Sequence, residues 1–170
     1  ERINPPFHRW SSRISAFEDV LRFKLFGDKK ITSQRRNNID IILNACELKT
    51  GAPFRFGNKN SGCSPFGIIK NNDIDIAHAV AASIAYPVFL PAIDRTYEFI
   101  KENETLKKER VFLADGGVFD NLGISGMEPD TPSTHGNTIF KPEYIICCGA
   151  GQGEKKSLPY WLIPRILRSS

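Results

Sequence analysis

The chain has 170 residues, of which 41% are hydrophobic and 25% charged, and a formal net charge of +4. These proportions belong to a globular domain or a large piece of one, and they exclude collagen-like and low-complexity chains. The mild basic excess suits an anionic lipid surface without requiring one, and four cysteines with no CxxC pair give no support to a zinc or thioredoxin-type reading.

Residues 1–36 are rich in Arg and Lys, with interspersed Phe, Trp, Ile and Leu. They are set apart as a basic amphipathic N-terminal segment, a candidate lid or cap, from residues 37–170. Within them, residues 15–26 predict a helix with Phe17, Val20, Leu21 and Leu25 on one face. No nucleic-acid recognition motif accompanies the basic residues. Residues 39–48 (IDIILNACEL) read as a buried strand. The Thr50-Gly51-Ala52-Pro53 break follows, then residues 54–56 as a hairpin partner, then a loop over 57–66.

Asp73 or Asp75 is placed to cap a helix running to about Tyr86, rich in alanine and ended by Pro87. Residues 101–110 (KENETLKKER) read as a charged connector. Residues 111–114 predict a short strand and residues 144–148 a second, buried one that carries Cys147 and Cys148 as structural thiols. A long loop is expected over 125–143 and a terminal helix over 158–167. Strands alternating with helices argue for an α/β sheet. No secretory signal is visible, the apolar window 76–93 is interrupted by His78, Pro87 and Pro91, and unbridged thiols suit a reducing, cytoplasmic setting.

The chemistry concentrates at residues 111–117 (VFLADGG), where an apolar strand runs into an acid and two glycines. Strand ends display reacting groups, and glycine leaves room around the carboxylate. Asp-Gly between apolar runs is equally a hairpin signal, which would pair residues 111–114 with 117–120. Other candidates are weaker. The glycines of residues 57–64 lack the lysine of a phosphate loop, and Gly149, Gly151 and Gly153 lack dinucleotide spacing. His8, His78 and His135 share no metal-ligand spacing.

Residues 112–124 (FLADGGVFDNLGI) resemble the Asp-Gly-Gly box of the patatin-like phospholipases, including the Asp120-Asn121-Leu122 that follows the acid. Residues 78–91 (HAVAASIAYPVFLP) resemble the family's small-residue helix, and residues 44–56 (NACELKTGAPFRF) its central strand and turn. Gly123 departs from the pattern, standing where the family often has proline. The resemblance implies a patatin-like open α/β sheet with flanking helices, and a Ser–Asp dyad that cleaves lipid acyl esters. Asp115 is then the catalytic base, and Gly116 and Gly117 form its turn. Asp120 reads either as a supporting second acid near the site or as a turn residue capping its own backbone, and Asn121 as a residue that fixes that turn. No cofactor or metal is implied, and peripheral membrane contact is.

No serine satisfies Gly-x-Ser-x-Gly. Ser64 and Ser125 each have a glycine two residues before but none two after. The chain also begins with Glu1 rather than Met. The fold is therefore expected to be incomplete, with the serine and oxyanion elements in a missing N-terminal part of the same domain. The alternative is a non-catalytic lipid or membrane-surface binding module of the same ancestry.

Overall fold

Six antiparallel strands and two helices make up the computed structural model, which describes residues 7–33, 39–101, 103–125 and 143–148, with the backbone alone over 7–12. Helix α1 is Phe7–Leu21, continued by a π-type turn over Arg22–Phe26. The strands are β1 (Ile42–Glu47), β2 (Ala52–Gly57), β3 (Gly62–Cys63), β4 (Gly67–Ile69), β5 (Ile93–Ile100) and β6 (Leu106–Asp115). Helix α2 (Ile76–Ser83) lies between β4 and β5. Each strand pairs with the next, and β6 returns to pair with β1, closing a barrel.

This corrects the expected open α/β sheet with flanking helices. Parallel neighbours need crossovers of a dozen or more residues, whereas β1–β2, β2–β3, β3–β4 and β5–β6 are joined by short hairpin loops. The connection through α2 is long enough for a crossover, yet it brings β5 back antiparallel to β4. Short links between extended runs leave hairpins as the available geometry, and closure removes the exposed edges.

The strand over 39–48 and its partner after the Gly51 break are both present. Ile42 faces Gly57 and Ala45 faces Phe54, with Gly51 at φ +66 in the turn. The predicted loop over 57–66 also contains β3. β5 is a strand that the sequence reading did not identify, and half of β6 lies in the supposed connector 101–110. These polar residues extend because opposite charges meet across the ribbon. Arg110 donates to Asp94 Oδ1 at 2.7 Å, and Lys108 lies 3.2 Å from Glu98. The hairpin turns at Glu104, which has φ +59.

The core gathers Phe54, Phe56, Tyr97 and Phe99 around α2's alanines, with Phe54 and Phe56 centroids 4.9 Å apart. Small residues let α2 approach β1 and β6 closely. The predicted stripe on α1 divides. Leu21 is buried with Ile14, Phe17 packs on the core, and Val20 and Leu25 are exposed. The buried row is Ile14, Glu18 and Leu21, which places one acid in an apolar stripe.

Residues 144–148 form no strand and are exposed, Cys147 and Cys148 included, in contrast to the buried strand expected there. The closed barrel offers them no free edge among the described residues. Cys46 and Cys63 are buried free thiols, and burial pushes Cys63 up to about 12. No helix among the described residues is long and apolar enough to cross a membrane. The expected loop over 126–142, the glycines from 149 onward, His135 and the terminal helix lie outside the described residues, as does the His8 side chain.

Candidate functional site

Asp115 is the last residue of β6, beside Ala45 of β1. Its N–H donates to Ala85 O at 3.0 Å, which ties the strand end to the exit of α2. The chain then leaves the sheet. Gly116–Val118 form a 3-10 turn that Asp115 caps, with Oδ1 accepting from Gly117 N at 2.7 Å. Residues 111–113 pair with β5, and residues 113–115 pair with β1. Residues 111–114 are thus not the arm of an Asp-Gly hairpin.

The glycines have a steric reason. A Cβ on Gly116 would lie 2.5 Å from Asn44 O. On Gly117 it would lie 3.0 Å from Asn121 Oδ1 and 3.1 Å from Asp115 Oδ1. The turn can approach β1 this closely only without a side chain at Gly116, and the Asp115 carboxylate and the Asn121 amide fill the space a side chain at Gly117 would need. Gly123 has φ +69, which the fixed ring of proline cannot adopt. A Cβ there would also sit 3.0 Å from Asn44 Nδ2.

Asp120 folds the segment back on itself. Its Oδ1 accepts from Gly123 N at 2.9 Å and its Oδ2 from Ser125 N at 2.8 Å. Burial raises its carboxyl, but the bonds from Ser125, Gly123 and Ile124 outweigh that and hold it below the usual range. Asp120 is therefore a turn-forming acid that also faces the site. Asn121 faces the same space through the amide that crowds Gly117.

Together these residues line a cleft of about 290 Å³ between the start of β1, the end of α2 and the turn after β6. Asp115, Gly116, Gly117, Asp120 and Asn121, the five residues singled out from sequence, all lie on its wall. Ile42 and Leu43 supply an apolar side, and Asn44 and Ser83 add an amide and a hydroxyl. Sequence reasoning missed Asn44 and Ser83. The signal for Asn44 is a polar residue interrupting the apolar run 39–48. Ser83 carries no local signal, since the packing of α2 on β1 and β6 and the Asp115–Ala85 bond bring it to the acid.

His78 takes no part in this cleft. It is buried against Phe56 and Tyr97, its Nε2 is hydrogen-bonded to the Tyr97 hydroxyl, and its Nδ1 lies 3.3 Å from Glu18 Oε1, off the line of a hydrogen bond. Among the described residues, no three His, Cys, Asp or Glu side chains gather as metal ligands.

No family model, curated protein or solved structure matches this chain.

Proposed function

We propose that the chain supplies the general base, Asp115, of a serine acyl hydrolase that cleaves lipid carboxylic esters. The observation that carries this reading is the position of the Asp115 carboxylate. It sits at a rigid strand end, on the wall of a cleft, beside two glycines whose missing side chains leave it accessible. The sequence resemblance of residues 112–124 to the Asp-Gly-Gly box supports the choice of reaction.

In this scheme a serine hydroxyl enters the cleft and attacks the ester carbonyl while Asp115 accepts its proton. The alcohol leaves, and water then hydrolyses the acyl-enzyme. A free aspartate, with a pKa near 3.9, is a weak base. The arrangement therefore depends on exclusion of water from the cleft and on donors that stabilise the oxyanion. Ser83 is poorly suited as the nucleophile. It ends α2, where the helix dipole is negative and opposes an alkoxide. No serine of the chain stands in a Gly-x-Ser-x-Gly setting, so in this scheme the attacking hydroxyl comes from outside the chain, and Ser83 serves as a hydrogen-bond donor to bound ester.

The test is hydrolysis of a p-nitrophenyl acyl ester by the full-length polypeptide. Asp115→Asn should abolish turnover with an unchanged circular dichroism spectrum, a loss of about a hundredfold or more. The 170-residue chain alone should show no turnover. Retained activity in the variant refutes the base. Activity in the isolated chain that is blocked by a serine-reactive phosphonate refutes the external nucleophile.

A second reading, a non-catalytic lipid-surface module, is favoured by apolar side chains left in solvent. Phe23 is 80% exposed, Phe89 72% and Val88 64%. It expects vesicle binding, lowered by Phe89→Ser, in a full-length polypeptide that lacks esterase activity.

A further inference from the structure

Arg55 stands in the middle of β2, facing Asn44 across the β1–β2 pair. Phe54 and Phe56 point to the core, so by strand alternation Arg55 and Asn44 share the outer face. An arginine there would ordinarily reach into water. Instead it is only 9% exposed, and every residue of β2 is buried. The cover is the segment that follows Asp115. Arg55 donates to Ser125 Oγ at 3.4 Å, and Asn44 Nδ2 lies against Gly123. Burial lowers the guanidinium's proton affinity, and the charge of Asp120 partly restores it. Asp120 in turn holds the Gly123 and Ser125 amides.

We propose that Arg55 is a positioning residue for Asp115. Its buried guanidinium holds Ser125 and clamps residues 116–125 onto the outer face of β1 and β2, which fixes the turn whose Gly117 N–H orients the Asp115 carboxylate. The cross-strand pair Asn44 and Arg55 forms the platform of this clamp. The assignment rests on reading Asp115 as the base. Its physical content is a chain of contacts: Arg55 to Ser125, Ser125 and Gly123 to Asp120, and Asp120 N–H to Gly116 O at 2.9 Å. Loosening the first link frees the last, and a displacement of about 1 Å at a reacting group is enough to slow chemistry about a hundredfold.

The experiment follows the Gly117 amide by nitrogen–proton NMR at pH 7, in the full-length polypeptide. The bond from Gly117 N to Asp115 Oδ1 displaces that amide's shift from the position of a free glycine. In Arg55→Met the displacement should fall by about half or more, while amides of β5 and β6 keep their wild-type shifts. The same variant should lower kcat for acyl-ester hydrolysis by about tenfold to a hundredfold with KM within about twofold. Arg55→Lys should recover part of both, since it keeps the charge but not the planar donors.

Asp120→Asn, which leaves β2 intact, should reproduce the Arg55→Met effects and decides the matter if Arg55→Met does not fold. An unchanged Gly117 shift in a folded Arg55→Met, or in Asp120→Asn where Arg55→Met does not fold, overturns the clamp. Asp115→Asn separates the two ideas. If that variant still hydrolyses ester while Arg55→Met disturbs Gly117, the base assignment is wrong and the clamp is structural only. If Asp115→Asn is inactive and the Gly117 shift is unchanged in Arg55→Met, the clamp alone is wrong.

Discussion

A methyl group on Gly116 would meet the Asn44 carbonyl oxygen at 2.5 Å, and that oxygen belongs to the backbone of a paired strand. Gly116→Ala must therefore push the turn outward or pull β1 from its register. The expected cost is about 1–3 kcal/mol, read as a lower urea midpoint at unchanged slope. Gly117→Ala should be milder in stability, because its obstacles are the Asn121 and Asp115 side chains, which can rotate. Its effect should appear instead in the orientation of Asp115. The two glycines stood out in the sequence because an apolar strand runs into the acid and Asp120-Asn121-Leu122 follows it, although Asp-Gly alone reads equally as a hairpin turn. Asn44, Arg55 and Ser83 did not. Each sits inside an element whose hydrophobic pattern explains its neighbours, and their importance comes from contacts made between segments far apart in the chain.

At the scale of elements, α1 is held to the barrel by Glu18 as much as by Ile14 and Leu21. Glu18 is 3.2 Å from Arg95 of β5, 3.3 Å from His78 of α2 and 3.5 Å from Arg22. Burial raises its carboxyl, but contact with His78 and the charges of Arg95 and Arg22 outweigh that, leaving it below its ordinary 4.5. A depressed folded-state value means that the unfolded chain binds the proton more readily. The stabilisation is therefore complete above pH 4.5 and is lost as pH falls through the lowered value. Unfolding free energy should decline with acid in that window, and Glu18→Gln should flatten the decline. At neutral pH the same substitution should cost only about 1 kcal/mol, because Arg95 and Arg22 reach solvent and Arg22 keeps Asp75. The Ile14–Glu18–Leu21 row also shows why the predicted stripe was only partly right. A helical face was expected to be apolar, whereas this one is charged where it meets Arg95 and His78. The same bias hid β5 and the first half of β6. Lys108 and Arg110 belong to the run 101–110 that reads as a solvated connector, but across a twisted ribbon they meet Glu98 and Asp94 of β5.

For the molecule as a whole, the central aromatic group sets stability. Phe54 is fully buried among Phe56, Tyr97 and Phe99, and Phe54→Ala should lose about 3–5 kcal/mol, measured by denaturant unfolding. The strand content of residues 39–57 was legible because apolar runs there are bounded by turn residues. The closed antiparallel topology was not, since the order of elements does not say which strand a given strand joins. That choice is made by the return of β6 to β1, through three residue pairs, Ala45–Asp115, Cys46–Ala114 and Glu47–Leu113. The partners come from opposite ends of the barrel sequence, so this seam carries the largest loop-closure cost of any pairing in the sheet. The proposed base occupies its final rung. A folding chain that has zipped every hairpin but not this junction would hold its local structure and still have no cleft. Appearance of the site and completion of the ring should therefore share one rate constant, and that step should be the slowest in refolding.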